Sequence, residues 1–261
     1  FFYLSSLALI VGSFVSFVSY RLGTGQDMAL SYSKCTKCNY RLKYFNLIPL
    51  FSWLVQGGKC TTCKARISVR YPVIELSFVI LFNLIYFANN LENDYNLLFL
   101  LVIATIMVVI SIVDIEYYFA PLSMQIILLL SVVAYLYFLM DDPEGLLHHA
   151  FSGLVFMAFS LALYYAFLIF AKKEAIGIDD IKMFFTIGLL IGLDNFVEFT
   201  FYSGLIGVIF GLLWTKIKND DTFPFAPTIL TSAFLCFILE GKFELVDLAT
   251  TLVISNMVGV F

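Results

Sequence analysis

Charge is what this 261-residue chain has least of. Asp, Glu, Lys and Arg supply 13% of it, against 61% hydrophobic residues, and mean hydropathy is +0.95. A soluble fold of this length has no use for that much apolar surface. A water-soluble globular class is therefore excluded, and a polytopic membrane protein is the expectation. Basic charge is scarce as well: 15 Lys and Arg against 19 Asp and Glu leave a net −4, which argues against a nucleic-acid partner. Histidine is down to two residues, His148 and His149. No Gly-x-Ser-x-Gly occurs, so the common serine-nucleophile signature is missing.

What is present is a series of apolar runs. A helix needs about 20 mostly apolar residues to cross a bilayer. The sequence offers Phe1–Tyr20, Pro72–Ala88, Leu97–Val113, Leu122–Met140, Leu147–Phe170, Ile181–Leu193, Phe196–Trp214 and Phe225–Leu239. The expected fold is thus all-α, with about eight transmembrane helices. The sixth is short, and a tilted, broken or extended helix is expected there. The apolar tail Val246–Phe261 fits either a ninth span or an interfacial helix. The chain opens on Phe1 rather than Met, so its true N-terminus is expected upstream. The first run reads as a retained helix rather than a signal peptide, because no convincing cleavage site ends it and a basic stretch follows.

Loop charge gives the orientation. Nine of the fifteen basic residues lie between the first two spans: Arg21, Lys34, Lys37, Arg41, Lys43, Lys59, Lys64, Arg66 and Arg70. The positive-inside rule places that loop in the cytoplasm. Alternation then puts the acidic connections near residues 91–96, 141–149 and 194–198 outside, and Lys172, Lys173, Lys182, Lys216 and Lys218 inside. Only Lys242 falls on the outer side. His148 and His149 are outside too, so a histidine-based triad at the cytoplasmic face has no histidine to use.

The basic loop carries Cys35-Thr-Lys-Cys38 and Cys60-Thr-Thr-Cys63, with 21 residues between the pairs. Two Cys-x-x-Cys turns at this spacing are the pattern of a four-thiolate zinc ribbon. Disulfides are disfavoured in a reducing cytoplasm, and a thioredoxin-type centre lacks its βαβ context. Four thiolates leave no open coordination position, so the zinc is structural. Cys236 lies within an apolar span and reads as core packing.

The remaining chemistry is acidic. Ionisable groups in or beside membrane helices cost on the order of 3 kcal/mol at mid-helix and are functional candidates by default. Glu75 begins the second span, Asp114 ends the third, and Asp179 and Asp180 begin the sixth. The topology puts all four at the cytoplasmic face. Two carboxylates from different helices at one depth form an aspartyl dyad that shares one proton, one member acting as base and the other as acid. The bland alternative leaves Asp114 solvated at a helix end and makes Asp180 an N-cap.

At this point the chain resembles the bacterial type IV prepilin peptidases, aspartic enzymes of the GxGD type. The resemblance rests on ordered motifs: Gly12-Ser-Phe with Arg21-Leu; the two Cys pairs flanking Asn46-Leu-Ile-Pro-Leu-Phe-Ser-Trp53-Leu; and Ile67-Ser-Val-Arg70-Tyr-Pro-Val-Ile-Glu75. Asp114 with Pro121, Gly177-Ile-Asp-Asp180-Ile-Lys182 and Phe223-Pro-Phe-Ala-Pro227 follow. It implies an endopeptidase in the bacterial cytoplasmic membrane that removes the basic leader of prepilin or pseudopilin substrates after a Gly. It further implies N-methylation of the new terminus with S-adenosylmethionine. Asp114 and Asp180 become the catalytic pair, and Cys35, Cys38, Cys60 and Cys63 the zinc ligands. The domain division becomes a first helix over 1–20, a cytoplasmic zinc-binding loop over 21–71 and a multi-helix peptidase domain over 72–261. The methyl-donor site is placed on no residue, although topology brings Glu75 and the basic loop forward.

Three positions depart from the family pattern. Asp179 stands where a Gly is expected, Ala226 replaces the Gly of Pro-Phe-Gly-Pro, and Ser16 replaces an Asn. Gly would permit a left-handed backbone at 179, which Asp also tolerates. A carboxylate there would oppose ionisation of Asp180 if the side chains point together, or attract a basic leader if it faces solvent. Asp179, Lys182 and Glu75 are accordingly the expected modulators. Gly188 and Gly192 offer a small-residue face for a substrate helix. Two other readings compete: a peptidase without methylation, and a zinc-ribbon scaffold or transporter. A transporter would bury its charges near mid-span, whereas these acids cluster at one face.

Overall fold

The computed structural model describes residues 2–26, 33–35, 37–88, 94–139, 143–170, 172, 176–218 and 222–239. The tail 246–261 lies outside the described residues. The secondary structure is helical: α1 (Phe2–Thr24), a 3-10 turn (Tyr44–Leu47), α2 (Phe51–Val55), α3 (Arg70–Ala88), α4 (Asp94–Tyr117), α5 (Leu122–Leu139), α6 (Pro143–Phe170), α7 (Ile178–Ile191), α8 (Phe196–Lys218) and α9 (Ala226–Leu239). Among the described residues, each of the eight apolar runs is built on a helix. Five of them are long and apolar enough to cross a membrane: α1, α3, α4, α6 and α8. The helices α5 and α9 are apolar but shorter, and α7 has 14 residues.

The chain forms two units, 1–101 and 102–261. In the first, α1 packs along α3. The close approach has a specific cause at Gly12, where a Cβ would sit 2.9 Å from the Cα of Glu75. Small residues at such a seam let two backbones meet where lipid supplies no hydrophobic drive. In the second unit α7 is the hub, packing against α5, α6 and α9. Its residues from Thr186 to Ile191 are all buried. Enclosure by protein explains how so short a helix is accommodated, because its C-terminal half meets neighbouring helices rather than lipid. By contrast, only 17% of the most apolar stretch of α6, and of α8, is buried within the protein, as expected of helices that face hydrocarbon.

Packing around α7 corrects one expectation. Gly188 does not present a free face to a substrate helix. A Cβ there would come 2.5 Å from the ring of Phe156 on α6, and that ring is buried between Phe196 and Phe199. Gly192 ends α7 with φ +77°, beside His149. His149 in turn contacts the Leu189 carbonyl through Nδ1 at 2.8 Å. Both glycines thus serve the packing of α6 on α7.

Candidate active site and metal centre

The four loop cysteines converge. Their sulfurs lie within 4.8 Å of one another, and Cys35 Sγ and Cys63 Sγ are 3.8 Å apart. A tetrahedral site with Zn–S near 2.3 Å needs S–S separations of about 3.8 Å, so the sulfurs fit a metal of that size. The two knuckles repeat each other 25 residues apart, as Cys35 and Cys38 become Cys60 and Cys63. The Cys35 amide donates to the Tyr40 carbonyl, and the Cys60 amide to that of Ala65. The bridges Lys34–Arg41 and Lys59–Arg66 and the left-handed residues Asn39 and Lys64 follow the same offset. Each turn points amides at its own first sulfur. The Cys38 and Lys37 amides hold the Cys35 thiol down to about 6, and those of Cys63 and Thr62 lower Cys60. At Cys38 the Tyr40 amide also acts to lower the value, but burial and the neighbouring thiols outweigh it and push the thiol up to about 11. A thiolate is the form that binds metal.

Between the knuckles, Trp53 covers Gly58, and its indole N–H points at the Ile67 carbonyl at 3.4 Å. Leu50 precedes α2 with φ +57°, and its amide donates to Glu75 Oε2 at 2.7 Å. The buried Glu75 also takes a hydrogen bond from Ser13. One turn earlier on α3, Arg70 donates to the Ser16 carbonyl at 2.9 Å and to Ser19 Oγ at 2.8 Å. The Gly-Ser-Phe and Arg-Tyr-Pro motifs are therefore two sides of one polar seam between α1 and α3. At the departing position 16 it is the backbone oxygen that holds Arg70, while the buried hydroxyl has no partner.

In the second unit, Asp114 stands near the end of α4 and Asp180 in the first turn of α7. The charge of Asp114 acts on Asp180, and that of Asp179 acts on both. Each carboxylate is fastened at a helix N-terminus, where unpaired amides and the helix dipole favour an anion. Asp180 is the third residue of α7, and its Oδ2 accepts the Gly177 amide at 3.1 Å. Asp114 is 8% exposed, and its Oδ2 accepts the amide of Ala226, the first residue of α9, at 3.0 Å.

Asp114 does not end its helix, as the apolar run had indicated, because α4 continues to Tyr117. Tyr118 then turns left-handed with φ +60°, and its amide donates to the Asp114 carbonyl at 2.9 Å. This is the cap usually made by glycine. In a tyrosine it costs roughly 1–2 kcal/mol.

The departures at 179 and 226 have simple backbone readings. Asp179 is the second residue of α7 and Ala226 the first of α9, and neither is among the left-handed residues. No glycine is required at either place, and the expected left-handed backbone at 179 does not occur. Acids in a first helical turn suit the dipole. The Asp179 side chain pairs with Lys182 at 2.8 Å, both about half exposed, so it turns toward its own helix surface. Gly177 is a different matter. A Cβ there would sit 3.1 Å from Asp180 Oδ2, so this glycine gives room for the carboxylate to reach back.

Sequence reasoning had no means of finding the Ala226 amide or the Tyr118 turn, since each acts through the backbone. The only available signal for the first was proline on either side, Pro224 and Pro227. Proline at the second helical position costs no hydrogen bond and marks a helix start.

Comparison with known proteins divides the chain much as its fold does. The bacterial peptidase A24 N-terminal domain matches residues 6–89, and the type IV leader peptidase family matches residues 101–212. A prepilin leader peptidase/N-methyltransferase of Bacillus subtilis is 30% identical over 236 residues, covering 88% of this chain and 90% of that protein. The protein of the same name from Myxococcus xanthus is 30% identical over 214 residues. That match covers 81% of this chain and 62% of the relative, so less than two thirds of its length is spanned. One from Stutzerimonas stutzeri is 25% identical over 259 residues, covering 89% of this chain and 88% of the relative. No solved structure matches the chain.

Proposed function

This chain belongs to the type IV leader peptidase family, and from that premise we propose that it is a membrane aspartic endopeptidase that removes the leader of prepilin-like proteins and N-methylates the new terminus. The protein is a multi-pass membrane protein. We place it in the bacterial cytoplasmic membrane with the basic loop and both aspartates on the cytoplasmic side, from the distribution of Lys and Arg. The observation that carries the reading is that the charge of Asp114 on α4 bears on Asp180 on α7, far away in sequence, while each carboxylate is held at a helix N-terminus.

Asp114 and Asp180 share one proton between them, since two like charges at close range do not both ionise. The ionised member takes a proton from a water as that water attacks the peptide carbonyl after the leader's terminal Gly. The protonated member gives its proton to the departing amide nitrogen. The peptide C–N bond breaks, leaving a carboxyl on the leader and an amine on the mature protein. A leader that stays cytoplasmic while the following apolar segment enters the bilayer presents this bond at the depth of the pair. Lys182 draws Asp179 to the helix surface, which limits what the extra carboxylate does to Asp180. The 72–261 portion carries this chemistry, and the 21–71 loop is a structural zinc module held by Cys35, Cys38, Cys60 and Cys63. When bound, S-adenosylmethionine would supply the methyl group, its S–CH3 bond breaking to leave S-adenosylhomocysteine while the new amine gives up a proton. Glu75 serves that half of the protein by fastening the Leu50 turn to α3.

The test is co-expression with a prepilin-like substrate, for wild type and for Asp114→Asn, Asp179→Asn and Asp180→Asn. Leader removal and the mass of the new N-terminus are read together. Cleavage is expected in wild type and Asp179→Asn and absent from the other two. Full cleavage by Asp180→Asn would sink the dyad. An unmethylated product from wild type with methyl donor present would leave a peptidase alone. Purified protein without zinc would remove the metal assignment.

A further inference from the structure

Tyr118 spends its left-handed turn on a side chain that glycine would spare, so the side chain has something to do. Its hydroxyl accepts a hydrogen bond from the indole N–H of Trp214 on α8 at 3.2 Å, and the two rings meet edge to face, 6.1 Å between centroids. From Trp214 the contact passes to Phe210 at 5.4 Å, on to Phe223 at 6.3 Å and then to Phe225 at 5.9 Å. Phe225 immediately precedes Ala226, whose amide holds Asp114 Oδ2, and Tyr118 immediately follows α4, where its own amide holds the Asp114 carbonyl. The circuit closes on Asp114 from both ends. The glycines of α8 make room for it: a Cβ on Gly211 would meet Phe223 at 3.4 Å, and one on Gly207 would meet Phe225 at 3.3 Å.

We propose that Tyr118 and Trp214 are positioning residues for Asp114, clasping the end of α4 to α8 so that the aspartate stays registered against the N-terminus of α9. Neither residue touches the reacting atoms. Their effect runs through two backbone amides, those of Tyr118 and Ala226, which fix the carbonyl and the carboxylate of one residue. Tertiary contacts are what keep a bulky side chain in a left-handed conformation, and such conformers gather where geometry has to be exact. Misplacement of a catalytic group by about 1 Å can cost on the order of a hundredfold in rate, so a clasp of this kind acts on turnover rather than on binding. The proposal rests on the peptidase reading given above.

The full chain is purified in detergent and assayed on a purified prepilin carrying its basic leader, as wild type, Tyr118→Gly, Tyr118→Phe, Trp214→Phe and the Tyr118→Phe/Trp214→Phe double variant. Hydrogen exchange of the Ala226 amide and thermal midpoints are measured on the same samples. Tyr118→Gly keeps the turn and loses the clasp: kcat is expected to fall about tenfold with KM unchanged, the midpoint does not fall, and the Ala226 amide exchanges faster. Tyr118→Phe and Trp214→Phe lose a smaller, equal factor in kcat, and the double variant is no worse than either, because both remove the same hydrogen bond. Unchanged kcat in Tyr118→Gly overturns the proposal. So does a rise in KM alone, which would mark a substrate contact, or a loss of kcat in step with a falling midpoint, which would mark a merely structural role. If wild type itself leaves the prepilin uncut, the peptidase reading fails. The Ala226 exchange then decides the clasp by itself: faster in Tyr118→Gly upholds it, unchanged refutes it.

Discussion

The cysteine knuckles and the aspartate pair solve the same problem, holding anionic side chains in place, by opposite means. Each knuckle is made within ten residues of chain: two cysteines, a left-handed residue after them and a backbone bridge that closes the turn. Everything that determines one knuckle is contiguous, and the second is the first repeated. Asp114 takes its carboxylate's hydrogen bond from a residue 112 positions away, and its partner arrives on a helix buried among three others. Asp180 stands between these extremes, with a local bond to Gly177 and a tertiary setting. Local construction tolerates change elsewhere in the chain. Non-local construction makes a site sensitive to helix packing as well as to its own residues.

The largest expected effect breaks the second construction at its centre. Asp114→Asn or Asp180→Asn removes general acid–base transfer and is expected to lower leader cleavage by at least about a hundredfold, with zinc content unchanged by metal analysis. A comparable change at the other centre is Cys60→Ser, or prolonged chelation. Either should release the metal and unprotect amides between residues 33 and 67 in hydrogen exchange, while α7 and α9 keep their protection. Loss of protection in both regions together would abolish the distinction drawn above. A smaller effect is expected from Gly177→Ala. The added Cβ pushes on Asp180 Oδ2 from 3.1 Å, and cleavage should fall about tenfold through misplacement of one carboxylate, with the thermal midpoint nearly unmoved. The smallest belongs to Asp179→Asn. It removes a surface ion pair worth about 0.5 kcal/mol, so stability and cleavage should each change by less than about threefold. A large loss there would show that the additional carboxylate participates directly.

The same contrast explains what could be read from the sequence. The helices were legible because a span is a run of apolar residues, and the four-cysteine cluster because its thiols sit at fixed local spacing. Asp114, Asp180 and Gly177 were legible as ordered motifs. The reason for Gly177 was not, because it is a matter of room for an oxygen rather than of backbone freedom. Position 179 was misread for a related reason: a glycine in the family pattern suggested a left-handed residue, whereas the structure has an ordinary first helical turn. The extent of α4 beyond Val113 escaped because polar residues continue a helix past the limit of its apolar run. The face of Gly188 looked available because the sequence does not say which ring will fill it, and Phe156 does.

Because Asp114 closes the first turn of α9, the two are thermodynamically tied. A neutral carboxyl is a poorer acceptor than a carboxylate, so each proton that Asp114 gains loosens the start of α9 and each proton it loses tightens it. Reciprocity then requires that anything pinning the start of α9 draws Asp114 toward its ionised state. The helix carrying Pro224-Phe-Ala-Pro227 at its head is thereby a gauge of the aspartate's charge, and the Ala226 amide is where it can be read.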